Sequence, residues 1–330
     1  EIFFTSGGTE ADNWALRGAL LANRERGKHI VITPFEHKAV LSQAEALTKE
    51  GFELSYVDVE PETGIVTPAA LTAVMRPDTV MVSIMMVNNE IGTIQDIPAL
   101  VAAARAVSPK VIFHTDAVQA AGFVPIDVKA LGVDLLTISS HKIYGPKGVG
   151  ALYVKKGGFR FGAITQGGSQ ERKMRTGTEN QPGIIGFGAA AEIAKAQFAE
   201  RVAHMRALRD QFLEGALSIE GVRLNGPDPL VNPAIRHPGN ANISIDRIEG
   251  ESMLLKLDMA GIAASSGSAC SSGAIHPSHV LLACGYDTAR ASASLRFSFG
   301  ASNTPADIEY VVEQVRVAIQ FLRSLVPGGQ

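Results

Sequence analysis

Cysteine is scarce in this sequence. Its 330 residues include only Cys270 and Cys284, too few for a disulfide framework and in keeping with a reducing, cytoplasmic setting. A dominant charge is missing as well: 30 Lys and Arg stand against 33 Asp and Glu, a net charge of −3. That leaves no basic footprint for nucleic acid. No apolar stretch reaches the roughly 18 uncharged residues of a membrane span, so no membrane partner is expected. Internal repeats, low-complexity segments and a signal peptide are not visible. The basic residues from Arg201 to Arg209 fall on a long helical pattern and read as a solvated face. An initiator Met is absent too, and the chain opens on Glu1-Ile2-Phe3, within a strand pattern. What is present is apolar content of 46 %, enough to bury a core, in a chain long enough for two domains.

Strand-like runs alternate with helical patterns up to about residue 155. Strands are expected at 2–5, 29–33, 53–58, 79–86, 111–115, 133–138 and 150–154, and helices at 9–25, 37–50, 68–76 and 97–106. This alternation predicts an α/β fold with right-handed crossovers and a mainly parallel sheet flanked by helices. Residues 181–216 read as one long Ala-rich helix or a broken pair. The expected division is a large domain over 1–198 and a smaller α+β domain over 199–330. The smaller one has strands near 240–245, 262–265 and 294–299 and helices near 250–259 and 304–324.

Three segments carry chemistry. In VDLLTISSHKIYGPKGVG (133–150) an apolar run ends in Ser139, Ser140, His141 and Lys142, followed by glycines. The polar residues therefore sit where a buried strand leaves the core, the usual place for ligands in open α/β sheets. A lysine in such a setting can become a nucleophile toward a carbonyl. One strand–helix unit earlier, VIFHTDAVQAAG places Asp116 and Gln119 at a strand's carboxyl end. At the start of the chain, a strand runs through Thr5-Ser6-Gly7-Gly8-Thr9 into an amphipathic helix, where glycines allow close approach and Thr9 offers a hydroxyl. A lysine, a buried carboxylate and a Gly/Thr loop at a helix N-terminus suit one cofactor, pyridoxal 5'-phosphate. It needs a carboxylate at its ring nitrogen, an amine for its aldehyde and a cradle for its phosphate.

The strings TSGGTEADN, EHKAV, VNNEIGTIQDI, HTDAVQAAG, SSHKIYGPKGVGALYV, RTGTENQ, PGNANIS, ASSGSACSSG and SLRFSFG run in order from the start of the chain to about residue 300. In them the chain resembles the NifS/IscS cysteine desulfurases of the fold-type I pyridoxal-phosphate enzymes. The resemblance implies that Lys142 carries the cofactor, Asp116 pairs with the ring nitrogen and Gln119 contacts the ring oxygen. It implies that His37 stacks on the ring and moves protons, and that Asn88 lies near ring and substrate. Gly8, Thr9, Ser139 and His141 would form the phosphate site. Thr178 would reach the phosphate of a homodimer partner, and Arg296 would hold the substrate carboxylate. Family members carry a further N-terminal segment that completes the small domain and part of the substrate pocket. The chain as written would lack it.

Cys270 stands among Ser265, Ser266, Gly267, Ser268, Ser271, Ser272 and Gly273. Such a run cannot pack a core and reads as a mobile loop, about 265–279. Cys284, in LLACGY, reads as a buried structural thiol. Cys270 is thus the expected nucleophile, taking sulfur from L-cysteine as a persulfide, releasing L-alanine and passing the sulfur to an acceptor protein for iron–sulfur or other thio-cofactor assembly. The alternatives are a selenocysteine lyase or other Cβ-lyase on the same scaffold, or a truncated, non-catalytic interaction subunit. An aminotransferase needs no such thiol. His276 and His279 are spaced like ligands, but Pro277 breaks the helix face between them, so no metal is expected.

Overall fold

A computed structural model describes residues 1–266 and 277–325. These residues form two compact units. The first comprises Glu1–Val59, Val66–Asn88 and Gln95–Phe198. The second comprises Ala199 onward together with Glu60–Ile65 and Asn89–Ile94, two short excursions that precede residue 198.

The first unit is built on a seven-stranded sheet of β1 (Ile2–Thr5), β2 (His29–Ile32), β3 (Glu53–Tyr56), β4 (Thr79–Ser83), β5 (Ile112–Asp116), β6 (Leu135–Ser139) and β7 (Gly150–Val154), in the order β1-β7-β6-β5-β4-β2-β3. The pairs β2–β3, β2–β4, β4–β5 and β5–β6 are parallel, and β7 runs antiparallel to both β1 and β6. Every residue of β2, β4 and β5 is buried, as expected of parallel strands covered on both faces. The helices are α1 (Gly8–Ala22), α2 (Lys38–Thr48), α3 (Pro68–Val74), α4 (Ile97–Val107), α5 (Val128–Leu131) and α6 (Gln181–Ala196). The buried face of α1 (Ala11, Trp14, Ala15, Leu16, Ala19, Leu20) joins Ile30, Ile32, Met81, Ile112, Leu135 and Leu152 in one apolar core.

The second unit begins with α7 (Phe198–Leu217). Its three-stranded antiparallel sheet of β8 (Val222–Leu224), β9 (Asn240–Ile245) and β10 (Ser294–Ser298) has the order β10-β9-β8. Alongside are α8 (Gly250–Met259), α9 (His279–Ala283), α10 (Thr288–Ser292) and α11 (Pro305–Ser324). Thr304 and Asp307 form a capping box at the start of α11, which satisfies two otherwise orphan backbone donors. Phe212, Phe297 and Phe299 centre the core of this unit.

One expectation changes in this frame and one open alternative is decided. The strand expected at 262–265 is only a single antiparallel bridge between Ser265 and Arg296. Gly261, at φ +75°, turns the chain after α8, and the Ile262 amide donates back to Leu257 O, so it is not available to a ladder. The Ala-rich 181–216 segment is a broken pair, α6 and α7, with Gln197 between them.

Gly150 ties the first site loop to the strand ends. It pairs with Thr5 on one side and Ser139 on the other. A Cβ there would lie 2.7 Å from Gly7 C and 2.9 Å from Ile138 O, both backbone atoms. Gly150→Ala is therefore expected to lower stability by about 1–3 kcal/mol through overpacking and to loosen cofactor retention. Denaturant unfolding and the cofactor content of the purified variant check this, and a stability within error of the parent would contradict it.

Candidate active site

In the first unit the residues singled out from the sequence gather at the carboxyl ends of the parallel strands. Asp116 is the last residue of β5 and Ser139 the last of β6, and Asn88 follows β4. His37 is the N-cap of α2, which follows β2, and Gly8 and Thr9 open α1, which follows β1. His141 and Lys142 lie in a 3-10 turn, Ser140–Ile143, directly after β6. Gln119, half-buried, sits in the turn after β5. Thr178 is exposed in the segment leading to α6.

The loop before α1 is shaped by its glycines. Gly7 takes φ 155°, ψ −177°, a region essentially reserved for glycine, and a Cβ there would face open space. At Gly8 a Cβ would come within 2.9 Å of Val118 Cγ2, so the first turn of α1 lies close over the chain that follows Asp116. Among the described residues no side chain caps this N-terminus. It presents unpaired N–H groups and the positive end of a helix dipole. Glu10 fixes the loop by accepting the Ser6 N–H at 2.9 Å, and Arg175 holds Glu10 at 2.8 Å. Burial pushes the Glu10 carboxyl up, but its bonds to Arg175 and Ser6 outweigh that and leave it lowered. Arg175 thereby ties the RTGTEN turn to this loop. Asn180 of the same turn caps α6 and donates to Gly148 O at 3.3 Å.

Asp116 is buried and accepts the Val118 N–H at 2.8 Å. Burial raises its carboxyl to about 6, against the pull of that N–H and the charge of Lys142. His37 Nδ1 accepts the Ala39 N–H at 3.1 Å. That bond assigns the neutral ring as the Nε2–H tautomer. Thr9 and His37 share a hollow of about 350 Å³ that Asn13, Ser42 and Gln43 also line. Asn88 is buried and donates to Phe35 O at 3.3 Å. Ser139 Oγ and His141 Nδ1 are 2.9 Å apart. The turn that carries Lys142 depends on Gly145, where a Cβ would lie 2.2 Å from Ser140 Oγ, and on Tyr144, which takes a left-handed φ of +68°.

These residues fit pyridoxal phosphate. A dianionic phosphate suits the uncapped N-terminus of α1 with its glycine opening. A pyridinium supplies the cation that a buried Asp116 lacks beyond Lys142. Lys142, one turn past the end of β6, supplies the amine.

Two expected site residues are not among those described in the first unit. Arg296, on β10, belongs to the second unit, where its Nη1 donates to Asn89 O at 2.9 Å. Cys270 lies outside the described residues, as does most of the loop expected at 265–279. Cys284 is fully buried, and burial, with Glu90 nearby, pushes its thiol up to about 12. It is an inert packing residue.

Two functional-site residues were not anticipated, Asp12 and Glu36. Both are buried acids close enough to Asp116 to feel its charge. Each stands as a single acid beside apolar residues, without a spacing that marks a site. Asp12 falls on the apolar face of α1, beside Ala11, Ala15 and Leu16, and Glu36 stands inside EHKAV between buried Phe35 and half-buried His37.

The family model "Aminotransferase class-V" matches residues 1–311. A protein of Methanosarcina thermophila named "Cysteine desulfurase IscS" is 48 % identical over 327 residues, covering 99 % of this chain and 79 % of the relative. The chain belongs to the class-V aminotransferase family, among the NifS/IscS cysteine desulfurases. Members of this branch depend on pyridoxal phosphate. A solved structure titled "NIFS-LIKE PROTEIN" superimposes with a TM-score of 0.89 at 35 % identity, over 98 % of this chain and 83 % of that one. It bears out the fold-type I architecture read from the sequence. Another, "SspA in complex with cysteine", gives a TM-score of 0.74 at 29 % identity, over 92 % of this chain and 82 % of its own. The desulfurase frame accounts for a carboxylate, a lysine and a glycine loop converging on one sheet edge.

Glu36 gives a pH test of this interior. Its Oε1 accepts the Thr33 hydroxyl at 2.6 Å and the Met85 N–H at 2.9 Å. Burial raises the carboxyl from 4.5 to about 8. A carboxyl raised on folding leaves stability intact below its unfolded value and removes it as pH rises through the folded one. Glu36→Gln keeps the acceptor and removes the titration. Relative to the parent, the cofactor-free variant is expected to gain stability across the window from 4.5 to about 8, by up to about 1.4 kcal/mol per pH unit. Denaturant unfolding at several pH values measures it, and a flat difference would refute the assignment.

Proposed function

We propose that this protein converts L-cysteine to L-alanine with pyridoxal phosphate held on Lys142 and the sulfur received by Cys270. The observation that carries the reading is the buried Asp116 carboxylate within reach of the Lys142 charge, at the carboxyl edge of a parallel sheet and with the glycine opening of α1 close over the chain that follows it. The bound cofactor supplies an electron sink for the charge left on the substrate carbon when its bonds are broken. The chain's own residues do the rest. Asp116 holds the positive charge on the ring nitrogen. Gly8, Thr9, Ser139 and His141 hold the phosphate, with Thr178 given to a second copy in a homodimer. His37 covers the ring and moves a proton at Nε2. Gln119 contacts the ring oxygen, and Asn88 orients ring and substrate. Arg296 takes the substrate carboxylate.

Sulfur transfer needs no outside oxidant. The Cβ–S bond of L-cysteine breaks, a bond forms from that sulfur to Cys270 Sγ, and L-alanine leaves with the hydrogens balanced. The thiolate is the attacking form. Passage of the persulfide sulfur to an acceptor protein regenerates Cys270. The two sparse cysteines support a cytoplasmic setting, and no helix among the described residues is long and apolar enough to cross a membrane. Relatives named for cysteine desulfuration, and a neighbour solved in complex with cysteine, support cysteine as substrate.

Two substitutions divide the chemistry. Lys142→Ala is expected to lose covalent cofactor retention. Borohydride reduction and peptide mapping of the parent should place the pyridoxyl group on Lys142, and a label on Lys147 or Lys155 would overturn the site. Cys270→Ser should hold the cofactor yet form no persulfide and release no sulfide from L-cysteine and dithiothreitol. Cys284→Ala should turn over normally and lose about 1 kcal/mol of stability through packing. Near-parent turnover by the Cys270 variant would sink the persulfide route and leave a direct Cβ-elimination.

A further inference from the structure

The interior behind Asp116 holds an acid that the chemistry above does not use. Asp12, in the first turns of α1, is 1 % exposed. Its Oδ1 makes no hydrogen bond among the described residues and lies 3.6 Å from His114 Nε2. Thr137, the β6 residue in register with Asp116, is a hydrogen-bond partner of the Asp12 carboxyl. The groups facing Asp12 come from every element around it. His114 and Asp116 come from β5, Thr137 from β6, and Glu36 from the turn before α2.

None of these is a cation. His114 bonds Ser83 Oγ through Nδ1 at 2.8 Å and Thr137 Oγ1 through Nε2 at 3.1 Å, and burial pushes its ring down to about 3. It is therefore a neutral imidazole across the working pH range. Asp116 and Glu36 add like charge. Burial, with Asp116 as the next cause, raises the Asp12 carboxyl well above the usual carboxylate range. Asp116 is better placed to be ionised, with a backbone N–H at 2.8 Å and Lys142 close enough to favour its anion. Two buried like charges so close cannot both ionise cheaply, so one acid of the pair keeps its proton.

We infer that Asp12 is that acid: a positioning residue that stays protonated so that the single negative charge of the pair rests on Asp116. The inference rests on Asp116 serving the ring nitrogen of the cofactor. A neutral Asp12 then has two consequences. It can share hydrogen bonds with the Thr137 hydroxyl at no charge cost, which steadies the β5–β6 pairing below Asp116. It also leaves the pyridinium as the one strong partner awaiting the Asp116 anion.

The test compares Asp12→Asn, which imitates the neutral acid, with Asp116→Asn, which removes the anion. Cofactor-free protein is titrated with pyridoxal phosphate at neutral pH, and unfolding of the cofactor-free forms is followed with rising pH. The Asp12 variant is expected to bind the cofactor within about twofold of the parent, since a neutral group replaces a neutral group. Its stability should decline less than the parent's as pH rises from the unfolded carboxyl value of 3.8, because the unfolded parent releases the Asp12 proton there while the folded parent keeps it. The Asp116 variant is expected to bind about tenfold or more weakly, as for loss of a charge-assisted bond. An Asp12 variant as weak as the Asp116 variant would put the charge on Asp12 and overturn the inference while leaving the site reading intact. Parent-like binding by the Asp116 variant would overturn both. If Asp12→Asn does not fold, infrared spectra of the cofactor-free parent, of Glu36→Gln and of Asp116→Asn decide. A protonated-carboxyl band at neutral pH that survives both the Glu36 and the Asp116 substitutions supports the inference, and its absence from the parent or its loss in either variant overturns it.

Discussion

A carboxylate buried at the end of a strand is costly unless a cation meets it, and the effective penalty is several kcal/mol per unpaired ion. Asp116 is held in that condition. Its strand is buried along its whole length, so the carboxyl cannot reach water by local fraying. One backbone N–H and the charge of Lys142 offset part of the burial and leave the group at about 6. Under the proposed function, a protonated ring nitrogen would be the cation that meets the remaining demand, and the energy held in the buried acid would become affinity for one part of the cofactor.

The surrounding architecture follows from where that acid sits. Parallel strands deliver their carboxyl ends to one edge, so β5 and β6 place Asp116 and Ser139 side by side, and the turn after β6 brings Lys142. β1 enters the sheet beyond β7, and Gly150 pairs with both Thr5 and Ser139. That register sets the Gly7-Gly8-Thr9 loop next to the end of β6. The Gly7-Gly8-Thr9 loop and the strand ends beside Asp116 are therefore joined through the two glycines Gly7 and Gly150 at one crossing, where neither tolerates a side chain for steric or conformational reasons.

Much of this was legible from residue pattern. The alternation of apolar runs and helical patterns gave the strands of the large sheet nearly in place, because buried parallel strands are continuous apolar runs. Lys142, Asp116 and the Gly/Thr loop stood out in combination, because one cofactor needs an amine, a carboxylate and a phosphate cradle. Short elements were harder. β8, α5, α9 and α10 are three to five residues long, too short for periodicity to register. The strand expected at 262–265 shared the composition of a strand, but the amide of Ile262 was already engaged by the end of α8. Asp12 and Glu36 were hidden for another reason. A single acid among apolar neighbours carries no spacing signal, and only the fold shows that three acids from α1, α2's leading turn and β5 converge.

The second unit applies the same economy of backbone to its own arginine. Arg296 lies on β10 between Leu295 and Phe297, both buried in the core of that unit. Its backbone exchanges two hydrogen bonds with Ser265, at 2.6 and 3.1 Å, and its guanidinium donates to Asn89 O. Ser265 opens the serine-rich run that leads to Cys270. At the far side of that run, Ser278 caps α9 through the Leu281 N–H and hydrogen-bonds the buried Glu90 carboxyl. Glu90 in turn follows Asn89, and its carbonyl accepts from Asn240 and Asn242 of β9. Both residues flanking the cysteine run, Ser265 and Ser278, are thus fixed to the short 89–90 segment or to the strand that bonds it. Arg296 and the two residues that flank the run containing Cys270 thus share one hydrogen-bonded frame. Under the proposed function, the group that takes the substrate carboxylate and the two ends of the thiol-bearing segment would be referred to that same frame.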